Sequence, residues 1–143
     1  MKKLKEIREK PFSFSVEIVL PIHPKYAQAI VHGKKRYEYR RKIPKRSVKK
    51  IYIYETAPTK AVIGDAEIVS ILKLPPNRLY EETKEGGGIN KEQFDKYFSG
   101  CKMGYAFKLG RVNVYSETKR IEDIGVKTVP QSFAYVSSEK TKK

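Results

Sequence analysis

The sequence predicts a mixed α+β, mainly β fold: a small, mostly antiparallel β-barrel with two or three flanking helices. Three observations lead there. Apolar residues recur mainly at every second position, the period of a half-buried strand. Segments of helical period are short and interrupt the strands without the regular alternation of a doubly wound sheet. The 143 residues suit one domain, large enough to hold a core without a disulfide or metal.

The elements follow in order. Residues 1–10 are charged and stop at Pro11, so 1–14 is expected to be a mobile basic arm rather than a short helix. Phe12, Phe14, Val16, Ile18 and Leu20 alternate with Ser13, Ser15, Glu17 and Val19, predicting a strand with one buried face that Pro21 breaks. Pro24 suits a first helical turn. Tyr26, Ala27, Ile30 and Val31 fall at helical spacing, and Gly33 suits the left-handed stop. Strands are predicted over 37–41 and 51–55, with a basic loop through Ile43, Pro44, Lys45 and Arg46 between them. A turn around Pro58 leads to a long strand over 61–74, with a bulge or bend at Gly64 and an end at Pro75. A helix over 77–85 ends in Gly86, Gly87 and Gly88. Asn90 caps another, with Gln93 completing a capping-box pattern and Phe94, Tyr97 and Phe98 as its apolar stripe. Strands over 105–109 and 112–115 meet at Gly110, a helical turn follows at 121–125, and 130–136 is the last ordered segment. The domain is expected to span 15–136, with 137–143 a disordered basic tail.

The formal net charge is +15, from 31 lysines and arginines against 16 acids. That excess favours a polyanion such as nucleic acid as partner. Charged residues make up 33% of the chain, which also fits a thermophilic surface. A lone cysteine, Cys101, permits no internal disulfide and no cysteine-based zinc site. We therefore expect a reducing, cytoplasmic setting. No run approaches the ~20 apolar residues of a membrane span, and the first ten residues lack a signal-peptide core.

The densest chemistry lies at 33–50, where ten cations surround one acid, Glu38. On a strand, Arg36, Glu38 and Arg40 share one face and Tyr37, Tyr39 and Arg41 the other. An acid between two arginines forms a charge-assisted network that holds either a fold or a ligand. The other motifs read structurally. The triple glycine lacks the strand and Lys-Ser/Thr of a phosphate loop and is expected to be a flexible linker. His23 and His32, nine apart, read as helix-end residues, so no metal or other cofactor is expected. Cys101 reads as inert. Tyr37, Tyr39, Tyr52 and Tyr54 read as packing residues, with one or two free to stack on bases near the basic loop.

Gly33, Lys35, Glu38 and Arg40 fit the pattern Gly-x-Lys-x-x-Glu-x-Arg, which resembles the ASCH domain of the PUA-like superfamily. The helix with Tyr26 and Ile30, the strand 50–54, the strand 64–67 and the closing Pro130-Gln131-Ser132-Phe133 also resemble that family, so the likeness covers roughly 16–136. The resemblance implies a PUA-like β-barrel with a cleft lined by this segment, and RNA binding, often in translation or transcription regulation. The helix-turn-helix of some archaeal relatives has no room in the N-terminal arm here. One branch implies a modified-cytidine amidohydrolase using lysine, threonine and glutamate. Lys35 matches, Glu38 stands in place of the threonine, and the acid position falls near Gly87, with Glu85 a poor substitute. Another branch implies a ribonuclease, with Lys35 and Glu38 as candidate catalytic residues acting on a ribose hydroxyl.

The leading expectation is a non-catalytic RNA-binding domain that prefers RNA to DNA. Lys34, Arg36, Arg41, Lys42, Lys45 and Arg46 would meet phosphates, while Lys35, Glu38 and Arg40 line a cleft for one unstacked nucleotide. The alternatives are an enzyme on RNA or a nucleoside, and a protein-interaction module with an incidental positive surface.

Overall fold

The computed structural model describes residues 6–8 and 15–136. Residues 1–5 and 9–14 of the predicted arm, among them Phe12 and Phe14 of the predicted first strand, and the tail 137–143 lie outside the described residues. Within the predicted arm, β1 (Glu6–Arg8) pairs antiparallel with β5. Then follow β2 (Val16–Ile22), α1 (Pro24–Val31), β3 (Tyr37–Arg40), β4 (Val48–Glu55), β5 (Ala61–Leu74), α2 (Pro76–Thr83), α3 (Lys91–Tyr97), β6 (Gly104–Lys119) and β7 (Ala134–Val136). A 3-10 turn, Lys84–Gly86, extends α2, and another, Ile121–Ile124, follows β6.

The strands run in the order β3-β6-β5-β4-β2-β7, with β1 added on β5. All pairs are antiparallel except β2–β4, which are parallel because the chain crosses over through α1 and β3 between them. The predicted barrel does not close: the sheet is open, with β3 and β7 at its edges. Each is too short to complete a ladder. The gap is bridged by a side chain, with Arg40 Nη2 donating to Pro21 O at 2.9 Å and Nη1 to Ser132 O at 3.4 Å.

Three apolar clusters hold the molecule. Ile18, Leu20, Ile51, Ile53, Ile68 and Phe107 face Ala27 and Ile30 of α1. Leu72, Leu74 and Ala106 face Leu79 of α2 and Phe94 of α3, with Phe98. On another part of the sheet, Val19, Tyr54 and Val62 meet Ile121, Ile124 and Val126.

Several local expectations change. Pro21 does not end β2, which runs to Ile22. A residue's amide and carbonyl point to one edge, and β7 covers that edge only at Glu17–Val19, so Pro21 removes no ladder bond there. Gly110 does not divide two strands: β6 is continuous, because β5 pairs along most of its length and the irregularity is taken up as register shifts. Gly64 does mark such a shift, and it allows the backbones to approach closely: a Cβ there would strike the Asn113 carbonyl. The Gln93 side chain does not close the expected capping box. Its backbone nitrogen bonds Asn90 Oδ1 at 2.8 Å, while its side-chain oxygen accepts from Tyr26 across the molecule.

Candidate functional site

The end of α1 sets the site. Gly33, at φ +79°, terminates the helix with a paired motif: Gly33 N bonds Ile30 O at 3.0 Å and Lys34 N bonds Ala29 O at 2.9 Å. Lys35 N also bonds Ala29 O at 3.0 Å, which fixes Lys35 against the helix end before β3 begins. Arg36 N then bonds Gly86 O at 2.6 Å, and Arg36 O accepts from Leu109 N at 2.9 Å. These bonds stitch the motif to the glycine segment and to β6.

Lys35 and Glu38 are nearly enclosed, at 3% and 6% exposure. Lys35 Nζ donates to Gly87 O at 2.7 Å and lies 3.9 Å from Glu38 Oε1, within ion-pair reach but beyond a hydrogen bond. Its ammonium also sits over the Tyr39 ring at 4.7 Å and the Tyr26 ring at 5.4 Å. Burial lowers the Lys35 pKa from 10.5. The Glu38 charge opposes that shift and Arg40 reinforces it. Glu38 Oε2 accepts from Arg40 Nε at 3.2 Å and Nη2 at 2.9 Å. Its other oxygen, Oε1, is buried and has no hydrogen-bond partner among the described residues. Such an oxygen is costly unless something else supplies a donor.

These groups open on a cavity of about 250 Å³ lined by Lys35, Glu38 and Arg40 with Ile22, Tyr26 and Tyr97, among others. Tyr97 donates to Tyr39 O at 3.3 Å. Tyr39 donates to Thr83 Oγ1 at 2.6 Å, since the Thr83 proton already goes to Leu79 O at 2.7 Å. Burial pushes the Tyr39 phenol up to about 12 and also raises Tyr97. The cavity is thus mainly aromatic and apolar, with the Lys35 amine, the Glu38 carboxylate, the Arg40 guanidinium and the His23 imidazole at its wall.

Of the expected site residues, Lys35, Glu38 and Arg40 come together. Arg36 does not join Glu38 and Arg40 on a strand face: it precedes β3 and is exposed. Arg41 stands at the rim, 4.9 Å over the Tyr97 ring. Lys34 and Lys42 are exposed. Lys45 and Arg46 line a separate depression with Lys73 and Tyr105. The triple glycine is no mere linker. Gly87 supplies the carbonyl for Lys35, and a Cβ on it would collide with the Tyr39 ring. Gly88, at φ +68°, lies so close that a Cβ would fall 2.8 Å from Lys35 Cβ. Sequence reading missed this role, along with Tyr97 and Thr83, because each comes from a remote element, and it named Tyr26 on the adjacent helix without placing it at the cavity. His23 and His32 are indeed helix-end residues, His23 accepting from Lys25 N at 3.2 Å and His32 contacting Gln28 O at 2.8 Å. Among the described residues no cluster of three or more histidine, cysteine or acidic side chains could hold a metal.

The geometry defines a domain with a small cavity under a Gly-x-Lys-x-x-Glu-x-Arg segment, and comparison with known proteins gives its family. The ASCH domain family model matches residues 20–131, and the chain belongs to that family. It is 32% identical over 134 residues to an ASCH domain-containing ribonuclease of Zymomonas mobilis, covering 89% of this chain and 88% of that protein. The crystal structure of an ASCH protein from Zymomonas mobilis superposes with a TM-score of 0.80 at 30% identity, covering 88% and 91% of the two chains. A serine-to-alanine variant of that protein superposes with a TM-score of 0.81 at 29% identity, covering 92% and 95%.

Proposed function

We propose that this chain binds single-stranded RNA at the cavity and cleaves it there. The observation that carries the reading is Oε1 of buried Glu38, which accepts no hydrogen bond among the described residues and lies 3.9 Å from the Lys35 amine on an open cavity. The ribonuclease name of a relative matching over most of both chains supports it.

Two opposed proton-transfer groups suffice for the chemistry. Glu38 Oε1 takes the proton of a ribose 2′-hydroxyl, and the freed oxygen attacks the adjacent phosphorus. The P–O5′ bond breaks, leaving a 2′,3′-cyclic phosphate and a 5′-oxygen that takes a proton from the Lys35 ammonium. A lowered amine pKa makes Lys35 a better acid near neutral pH than an ordinary lysine. Arg40 holds Glu38 in place through its two bonds. The exposed Lys34, Arg36, Arg41, Lys42, Lys45 and Arg46 supply salt-dependent attraction to the strand.

A single-stranded RNA and the same strand with 2′-deoxy sugars are incubated with the chain, and the ends analysed by mass. The reading expects fragments ending in 2′,3′-cyclic phosphate from RNA alone. RNA bound but left intact would contradict cleavage and favour a second reading, a non-catalytic base-binding site. The aromatic, apolar lining of the cavity favours that second reading, in which Glu38 Oε1 accepts from a base edge.

A further inference from the structure

A second feature lies outside the cavity. Tyr135, on β7, is 43% exposed, a large aromatic ring left in solvent. The Arg46 guanidinium sits 5.6 Å over that ring, and Phe133 meets it edge-on with centroids 5.6 Å apart. β7 runs antiparallel to β2, with Tyr135 opposite Ile18. Ser132, just before β7, has its carbonyl on Arg40 of the cavity wall at 3.4 Å. Ser132 and Tyr135 are three positions apart, roughly 10 Å along an extended chain. The Arg46–Tyr135 pair therefore stands a short step from the cavity mouth. Lys45 beside it and Arg41 on the rim keep the intervening surface positive.

We propose that Arg46, Tyr135 and Phe133 form a second subsite, which stacks a base of the same single strand beyond the nucleotide in the cavity. This rests on the reading that the cavity takes RNA. An exposed tyrosine beside a guanidinium is the arrangement by which sequence-tolerant single-strand binders hold successive bases: the ring stacks and the arginine meets base or phosphate. Phe133 packs against the core cluster under α1 and so backs the subsite, whereas the Tyr135 ring, among the described residues, joins none of the three buried clusters. The subsite makes the occupant an extended strand of several nucleotides, since a free nucleotide reaches only the cavity.

The test is length dependence. Affinities for a 2′-O-methyl RNA dinucleotide and hexanucleotide, which resist cleavage, are measured by titration with the wild type, Tyr135→Ala, Arg46→Ala and Tyr135→Phe. The wild type and Tyr135→Phe should bind the hexamer about tenfold or more tightly than the dimer. Tyr135→Ala should lose most of that increment and keep the dimer affinity, and Arg46→Ala should lose most of the increment as well. A full increment in Tyr135→Ala, or none in the wild type, would overturn the subsite and leave the cavity reading standing. No binding of either oligonucleotide by the wild type would overturn both.

Discussion

Glu38 carries two duties through two oxygens. Oε2 is engaged by Arg40, which itself reaches Pro21 and Ser132 across the open side of the sheet, so the ion pair pins β3. Oε1 accepts no hydrogen bond among the described residues. Removing Arg40 should be costly, because it strips a buried carboxylate of its two hydrogen bonds and leaves it only the Lys35 amine at 3.9 Å: Arg40→Met is expected to lower unfolding free energy by about 3 kcal/mol in urea titration. A loss under ~1 kcal/mol would mean the staple is idle. Lys35 makes a prediction of opposite character. Its folded pKa lies below 10.5, so between that value and 10.5 the unfolded chain binds more protons and stability rises with pH. The wild type should thus gain stability relative to Lys35→Met as pH climbs toward 10.5, and parallel profiles would contradict the burial of the charge. Tyr39 shifts upward instead, to about 12. Its contribution is complete below the ordinary phenol value of 10 and is lost as pH rises toward 12, so Tyr39→Phe should flatten the alkaline decline in that window.

The glycine segment between α2 and α3 shows what an element does that its composition hides. Three glycines read as a linker because nothing in their own sequence requires close packing. The requirement comes from Lys35 and Tyr39, about fifty residues away, which occupy the space their Cβ atoms would need. Gly88→Ala should therefore cost more than backbone strain alone. Gly100, at φ +83° with open space around it, isolates the strain, about 1 kcal/mol. Gly88→Ala is expected to exceed Gly100→Ala in thermal unfolding and to impair RNA cleavage, while Gly100→Ala leaves cleavage unchanged. Equal effects would mean Lys35 yields freely. By contrast α1, β3 and β5 were legible, because their ends are set by local signals: Pro24, Gly33 and Pro75 stand where the chain must turn.

At the scale of the molecule, strand content and the mostly antiparallel arrangement followed from alternation, and the Glu38–Arg40 pairing followed from strand spacing, but that spacing put Arg36 beside them, and Lys35 was placed there only by the family resemblance. Barrel closure did not follow, since it depends on whether two short edge strands meet, and Arg40 fills that gap instead. Nor did the aromatic wall of the cavity, because Tyr26 and Tyr97 reach it from different helices. With +15 net charge, strand affinity should be strongly salt dependent. Six phosphate contacts on a single strand would lower it by roughly 10²–10³-fold between 50 and 200 mM salt. A flat response would remove the basic rim from the binding surface.

The most direct measurement is single-turnover cleavage of a short single-stranded RNA by the wild type and Glu38→Gln, with affinity measured alongside. The substitution preserves the shape of the side chain and removes the proton acceptor. Cleavage by the wild type that falls at least ~10²-fold in Glu38→Gln, with affinity changed only a few-fold, is the predicted result. RNA left intact by the wild type, or cut as fast by Glu38→Gln, would contradict a catalytic Glu38.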